Sequence, residues 1–324
     1  MVEDKMNKIK VGVLQGGVSS EREISLQSGA QVISSLQRSG IRTAAIDVTC
    51  RDSCAVREMV LKSGIDCAFI ALHGEFGEDG RIQMILEDLK LPYTGSGPLA
   101  SRIAMNKIES KKIFMDQGVP TPEFEVLVRG SRPSLRWQCP FVIKPDASGS
   151  SVGVSVVKEA KELDQALASA FRESETVLIE EYIEGKECTV GILAGKPMGV
   201  VEILPKTGYY DFSAKYSEGM ASFKAPAEVE PELYRKIRDT GLRAHQVLGC
   251  RDFSRADIRL SAEGIPYVLE VNSIPGLTSH SLLPLSASCA GIDFDLLIKK
   301  MLELCLESRV LLKERTDIYH GTQR

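Results

Sequence analysis

The chain has 324 residues, 43% of them hydrophobic and 26% charged, and a net charge of −4. That length supports two or three domains with cores of their own, and the composition is that of a globular protein. Lysines and arginines are scattered rather than clustered, which argues against a nucleic-acid partner. No apolar run reaches the length of a membrane span, and the opening MVEDKMNKIK lacks the apolar stretch of a secretory signal.

In chain order, Lys8 to Leu14 reads as a strand running into Gly16-Gly17-Val18-Ser19-Ser20-Glu21, followed by an amphipathic helix from Ile24 to Arg38. A strand (43–48), a helix (54–62) and a buried strand (67–72) follow. This β-α-β-α-β order predicts a parallel sheet with crossover helices. The Gly-Gly turn is not a G-x-G-x-x-G fingerprint. The loop His73-Gly74-Glu75-Phe76-Gly77-Glu78-Asp79-Gly80 lies at the carboxyl end of the third strand, where ligands of such sheets bind. Helices are expected at 81–89 and, without interruption, at 101–117.

The second half opens with a strand at 141–144 and the small-residue loop Ser148-Gly149-Ser150-Ser151-Val152-Gly153, which returns through a strand to Val157. Small residues let backbone N–H groups approach an anion, and Lys144 stands beside the loop. A helix (160–171) and strands at 177–182, 187–193 and 198–203 follow. The polar stretch 206–225 has no clear period, and loops of that length usually serve function. Lys215-Tyr216 within it suits a lid. Helices at 231–248 and 293–306 are expected to pack the last domain, with a polar tail after about Lys313.

The sharpest constellation is a hairpin at 254–272. Residues two apart on a strand share a face. Arg255, Asp257 and Arg259 therefore share one face, and Ala256, Ile258 and Leu260 the other. On the returning strand Glu270 and Asn272 share a face, with Tyr267, Leu269 and Val271 opposite. Asp257, Glu270 and Asn272 meet as three oxygen donors, a set suited to a hard divalent ion beside nucleotide phosphates. Taken alone, the same face could be a solvated charged surface. The eight cysteines form no C-x-x-C pair and sit mostly in apolar segments, as expected of a reduced, cytoplasmic protein. Cys50 and Cys54 are a weak redox candidate. There is no zinc-type spacing and no G-x-S-x-G nucleophile elbow.

Together, GGVSSEREISLQSG (16–29), ALHGEFGEDGRIQ (71–83), LPYTGSG (91–97), MNKIESK (105–111), VIKPDASGSSVGV (142–154), VLIEEYIEGKECTV (177–190), YYDFSAKY (209–216), SRADIRL (254–260) and LEVNSIPGLTSHSLLP (269–284) resemble the D-alanine–D-alanine ligases of the ATP-grasp superfamily. The likeness runs from about residue 9 to 306. It implies an α/β fold of three domains: a Rossmann-like parallel-sheet domain (1–102), a central ATP-grasp subdomain (103–185) and a C-terminal one (186–312), before the tail (313–324).

By this resemblance Lys107, Lys144 and Lys215 neutralise the phosphates of ATP, and the loop Gly149, Ser150, Ser151 covers them. Glu180 and the backbone of Tyr182 and Ile183 hold adenine, and Glu187 the ribose. Asp257, Glu270 and Asn272 hold two Mg2+, with Mn2+ as a substitute. Glu21 anchors the first D-alanine and forms a hydrogen-bonded set with Ser150 and Tyr216; His73 lines that pocket. Arg255 and the Gly276 N–H form an oxyanion site, and Ser281 with the Leu282 backbone binds the second carboxylate. The implied reaction phosphorylates one D-alanine carboxylate and lets the amine of another attack it, for peptidoglycan precursors. A homodimer in the cytoplasm, with no nucleic-acid or membrane partner, is expected. Gln15 and Glu181 depart from the family pattern. Alternatives are D-lactate or D-serine as the second substrate, another carboxylate–amine ligase such as a biotin-carboxylase-like enzyme, and an inactive nucleotide-binding module.

Overall fold

A computed structural model describes residues 6, 8–134, 136–146, 149, 151–206 and 220–321, with side chains to 307. The first unit contains β1 (Lys10–Gly16), α1 (Arg22–Arg38), β2 (Arg42–Val48), α2 (Ser53–Ser63), β3 (Cys67–Ile70) and α3 (Arg81–Asp88). β2, β1 and β3 lie side by side and run parallel, as the β-α-β-α-β order predicts. Asp52 caps α2 by accepting from the Ala55 N–H, and Gly64 at φ 60° closes it in the left-handed conformation. Glu21 occupies the N-cap position of α1 but makes no capping bond.

The single helix expected over 101–117 is two: α4 (Pro98–Met105) and α5 (Lys107–Asp116). Asn106 between them is extended, and its side chain accepts from the Glu109 N–H at 2.7 Å. A short polar side chain that bonds the backbone two or three residues on ends one helix and starts the next. The break starts a new helix at Lys107, whose buried stripe is Lys107, Ser110, Lys111 and Phe114.

Next come β4 (Phe124–Val128), which the sequence reading missed, β5 (Phe141–Pro145), β6 (Ser155–Val157), α6 (Leu163–Glu173) and β7 (Thr176–Glu181). The strands form an antiparallel sheet in the order β4-β7-β5-β6, and β5 and β6 are the hairpin that carries the glycine-rich loop. A second antiparallel sheet, ordered β10-β9-β8-β11-β12, contains β8 (Gly185–Leu193), β9 (Lys196–Pro205), β10 (Ala221–Lys224), β11 (Phe253–Ser261) and β12 (Pro266–Asn272). β10 takes the end of the stretch expected as loop. α7 (Pro231–Val247) backs this sheet, burying Ile237, Gly241 and Ala244 in one apolar cluster with Val190, Ala256 and Ile258.

After the short α8 (Leu282–Ser288), α9 runs from Phe294 to Gly321, well past the end expected at 306. It packs on the first unit as well as the last domain. Leu297, Ile298, Met301 and Cys305 share a core with Val11, Val13, Cys67 and Phe69, and Arg38 pairs with Asp295. A helix buried on both sides needs apolar residues beyond one stripe, which LLIKKMLELCL supplies. No helix of the described residues is long and apolar enough to cross a membrane.

Candidate active site

The two antiparallel sheets face each other across a narrow cleft lined by Pro122, Val142, Lys144, Glu180, Tyr182, Ile183, Arg259 and Leu269. At its floor, Glu180 on β7 is 1% exposed and meets Lys144 Nζ of β5 at 2.6 Å and Lys111 Nζ of α5 at 3.4 Å. Burial opposes ionisation of Glu180, but the two ammonium groups outweigh it and hold its carboxyl below the usual range. Lys111 is wholly buried, and burial pushes its ammonium down to about 8 against the pull of Glu180. Lys111 donates to Thr121 Oγ1 at 2.6 Å, and Thr121 in turn donates to the Val268 carbonyl of β12. The floor therefore ties both sheets together.

At the mouth, the register of β11 on β12 sets Arg255 opposite Asn272 and Asp257 opposite Glu270. The expected meeting of Asp257, Glu270 and Asn272 follows from this pairing, and Asn272 Nδ2 donates to Asp257 Oδ2 at 3.1 Å. Arg255 grips the same carboxylate in a fork, Nε to Oδ1 at 2.8 Å and Nη2 to Oδ2 at 2.7 Å. Thr189, the cross-strand neighbour on β8, donates to Oδ1 at 2.7 Å. Lys107 Nζ stands 3.5 Å from Glu270 Oε2.

The face assignment on β12 needs correction. A β-bulge follows the Asp257–Glu270 pair, and Ile258 is next paired with Val268. Leu269 is the extra residue, and the alternation slips by one position there. Val268 and Val271 enter the core, whereas Tyr267 pairs with Arg259 and Leu269 lines the cleft. Leu269 thus becomes an apolar wall of the cleft, opposite Val142.

Arg259, which the sequence reading placed on this face without a role, is buried. Its Nε donates to the Ile183 carbonyl at 3.2 Å, Nη1 reaches Glu187 Oε2 at 3.1 Å, and the guanidinium lies 5.5 Å from the Tyr182 ring centre. One side chain fixes three of the four residues expected around the base and ribose.

On the first unit's side, a Cβ on Gly149 or on Gly74 would stand 2.6 Å from Glu21 Oε2. Glu21 therefore lies between the loop after β3 and the glycine-rich hairpin. The residue Ser151, at φ 58°, holds a left-handed conformation in that hairpin. His73 is buried, with Nε2 at 2.9 Å from Ser28 Oγ and Nδ1 at 3.1 Å from the Ile274 carbonyl. A carbonyl only accepts, so Nδ1 donates to Ile274. Glu78, unassigned by sequence, is buried 3.5 Å from His73 Nδ1; burial raises its carboxyl above the usual range despite the histidine.

Gly276 and Ser281 are neighbours: a Cβ on Gly276 would lie 3.0 Å from Ser281 Oγ. Ser281 occupies the N-cap position of α8 without a capping bond and accepts from the Thr278 N–H, and Leu282 is the first helical residue. Ser150, Lys215 and Tyr216 lie outside the described residues. Of the residues reasoning missed, Lys111 had a signal: it shares a helical face with Lys107, four residues before it. Leu269 had none, because a bulge is not written in alternation.

Two sheets closing on a charged cleft, with a small-residue hairpin loop over it and a parallel-sheet unit in front, make this an α/β protein of ATP-grasp architecture. The family description "D-ala D-ala ligase C-terminus" matches residues 113–303, and "D-ala D-ala ligase N-terminus" matches 53–96. The chain is 46% identical over 305 residues to the D-alanine–D-alanine ligase of Geotalea uraniireducens, covering 93% of this chain and 97% of that one. It is 45% identical to that of Trichlorobacter lovleyi, at 93% and 96% coverage. A crystal structure of D-alanine–D-alanine ligase from Bacillus anthracis complexed with ATP superposes with a TM-score of 0.80 at 33% identity, covering 93% and 98% of the two chains. The chain belongs to the D-alanine–D-alanine ligase family.

Proposed function

We propose that this chain joins two D-alanine molecules at the expense of ATP, giving D-alanyl-D-alanine, ADP and phosphate. The observation that carries the reading is the mouth cluster, where Arg255, Asp257, Glu270, Asn272 and Lys107 converge from two strands and a helix start. It opens beside a cleft whose floor holds Lys144 and Glu180. In this reading the base of ATP would lie between Leu269 and Val142 once the cleft opens to admit it, with its amine toward Glu180, the ribose toward Glu187 and the phosphates toward Lys144 and Lys107.

Asp257, Glu270 and Asn272 would hold Mg2+. Their oxygens suit a hard cation, and Asn272 fits once its carboxamide turns its oxygen inward, releasing one of the four bonds on Asp257. Bound there, Mg2+ would supply charge to the phosphates.

The carboxylate of the first D-alanine, its ammonium held by Glu21, attacks the γ-phosphorus; an O–P bond forms, the β–γ bridge breaks and ADP leaves. Two anions meet in that step, and Lys107, Lys144 and Lys215 screen them. The amine of the second D-alanine, its carboxylate on Ser281 and the Leu282 N–H, then attacks the acyl phosphate carbon. Arg255 and the Gly276 N–H take the oxyanion charge, phosphate departs and the amine loses its proton. Ser150 and Tyr216 join Glu21 to close the site. Homodimerisation and a cytoplasmic location accompany this reading.

The test is product formation from D-alanine, ATP and Mg2+, with D-lactate and D-serine as competitors. We expect D-alanyl-D-alanine with one ADP and one phosphate. ATP turnover only with another acceptor would overturn the substrate, and no turnover at all would overturn the activity.

A further inference from the structure

We propose that Lys111 is a positioning residue that makes the cleft selective for a 6-amino purine over a 6-oxo purine, by holding Glu180 as an ionised acceptor. The inference rests on the ATP reading above and deepens it. An ammonium has three N–H donors, and those of Lys111 face Thr121 Oγ1 at 2.6 Å, the Pro122 carbonyl at 3.4 Å and Glu180 Oε1 at 3.4 Å. With 0% exposure it reaches no ligand. What it contributes is the charge of its ammonium, still largely protonated at pH 7.

Glu180 shows where that charge acts. Its Oε2 accepts from Lys144 at 2.6 Å, whereas its buried Oε1 has no hydrogen bond among the described residues, although Glu180 lines the cleft. A buried acceptor held only by a long 3.4 Å ion pair is incompletely satisfied, and the exocyclic amine of adenine is a donor that can approach it more closely. An ionised carboxylate accepts from a 6-amino group and repels the lone pairs of a 6-oxo group. A protonated carboxyl can donate to the 6-oxo group and loses that distinction. Lys144 alone cannot guarantee ionisation, because phosphates at the glycine-rich loop compete for the same ammonium. Lys111 faces away from the phosphates, and its bond to Thr121, which is tied to Val268 of the opposite sheet, keeps it in place when the nucleotide enters.

The experiment compares kcat/KM for ATP and for inosine triphosphate in D-alanyl-D-alanine synthesis by the wild-type chain and Lys111→Met. Inosine differs from adenosine at the 6-position and the adjacent ring nitrogen, so bulk is nearly unchanged. We expect the preference for ATP to fall by about tenfold, with the loss in KM for ATP rather than in kcat. A general loss of packing would lower both nucleotides equally and leave the ratio unmoved; that result overturns the proposal. If Lys111→Met does not fold, Lys111→Gln keeps donors toward Thr121 and Glu180 while removing the charge, and the same fall is required of it. ATP turnover by the wild type with an unmoved ratio in the variants sinks the role of Lys111 alone. No ATP turnover by the wild type sinks the function reading and this inference with it.

Discussion

The mouth and the floor of the cleft are both charge clusters, and they are built on opposite principles. At the mouth, Asp257 accepts bonds from Arg255 on its own strand and from Thr189 and Asn272 on the two adjacent strands of one sheet. Donors can be exchanged there, since Glu270 and Asn272 are only partly buried. At the floor, Glu180, Lys144 and Lys111 come from three separate elements and are buried, with two ammonium groups against one carboxylate. Lys144 can turn to a ligand in the cleft, but Lys111, with no exposure, stays on Glu180. Exchangeable charge suits a place where phosphate and cation arrive and leave. Fixed charge suits a place where one base is read.

The largest effect expected from this contrast is at the mouth. Glu270→Gln keeps the shape but removes a charge, and kcat is expected to fall by about 10²–10³-fold, with the melting temperature unchanged. Activity near wild type would break the assignment of that carboxylate.

A buried titratable group without a counter-charge sharpens the contrast. His245 on α7 lies against Ser254 Oγ at 2.7 Å, and burial pushes it down to about 4 from 6.5. Glu180 is just as buried but keeps its charge because it has lysines. A depressed folded value means the stability is present above pH 6.5 and is lost as pH falls toward 4. The loss over that window is about 3 kcal/mol. Urea melts at pH 7 and pH 4 should show it, and His245→Gln should flatten this part of the slope.

Lys144→Met tests the floor itself. Lys111 still faces Glu180, so the cost should be about 2 kcal/mol rather than the full penalty of a stranded buried charge. Chemical denaturation measures it; a change below a few tenths would mean that the floor is solvated. The smallest effect is expected for Arg259→Met, which frees the Ile183 carbonyl and Glu187 while leaving the mouth intact. The KM for ATP should rise by about fivefold at unchanged kcat, a binding loss of about 1 kcal/mol. A fall in kcat instead would place Arg259 in the chemistry.

The mouth was legible in the sequence because strand periodicity and one hairpin bring Arg255, Asp257, Glu270 and Asn272 together locally. The glycine-rich loop after Lys144 and the acid at Glu180 were legible as motifs, but the closure of Glu180 by Lys111 was not. That contact joins β7 to a helix whose start depends on Asn106 breaking a run that reads as continuous. The N-x-x-E spacing of Asn106 and Glu109 was the available sign. Leu269 stayed hidden behind the bulge, and periodicity does not say that α9 would pack on the parallel sheet, since it finds an apolar face and not its partner.

The most direct test of the account is to supply D-alanine labelled with 18O in both carboxylate oxygens and to read the isotope content of the released phosphate. Attack of the carboxylate on the γ-phosphorus at the Arg255–Asp257 mouth predicts one labelled oxygen in each phosphate formed. Unlabelled phosphate alongside D-alanyl-D-alanine would mean that the carboxylate is never phosphorylated, and the central claim would fall.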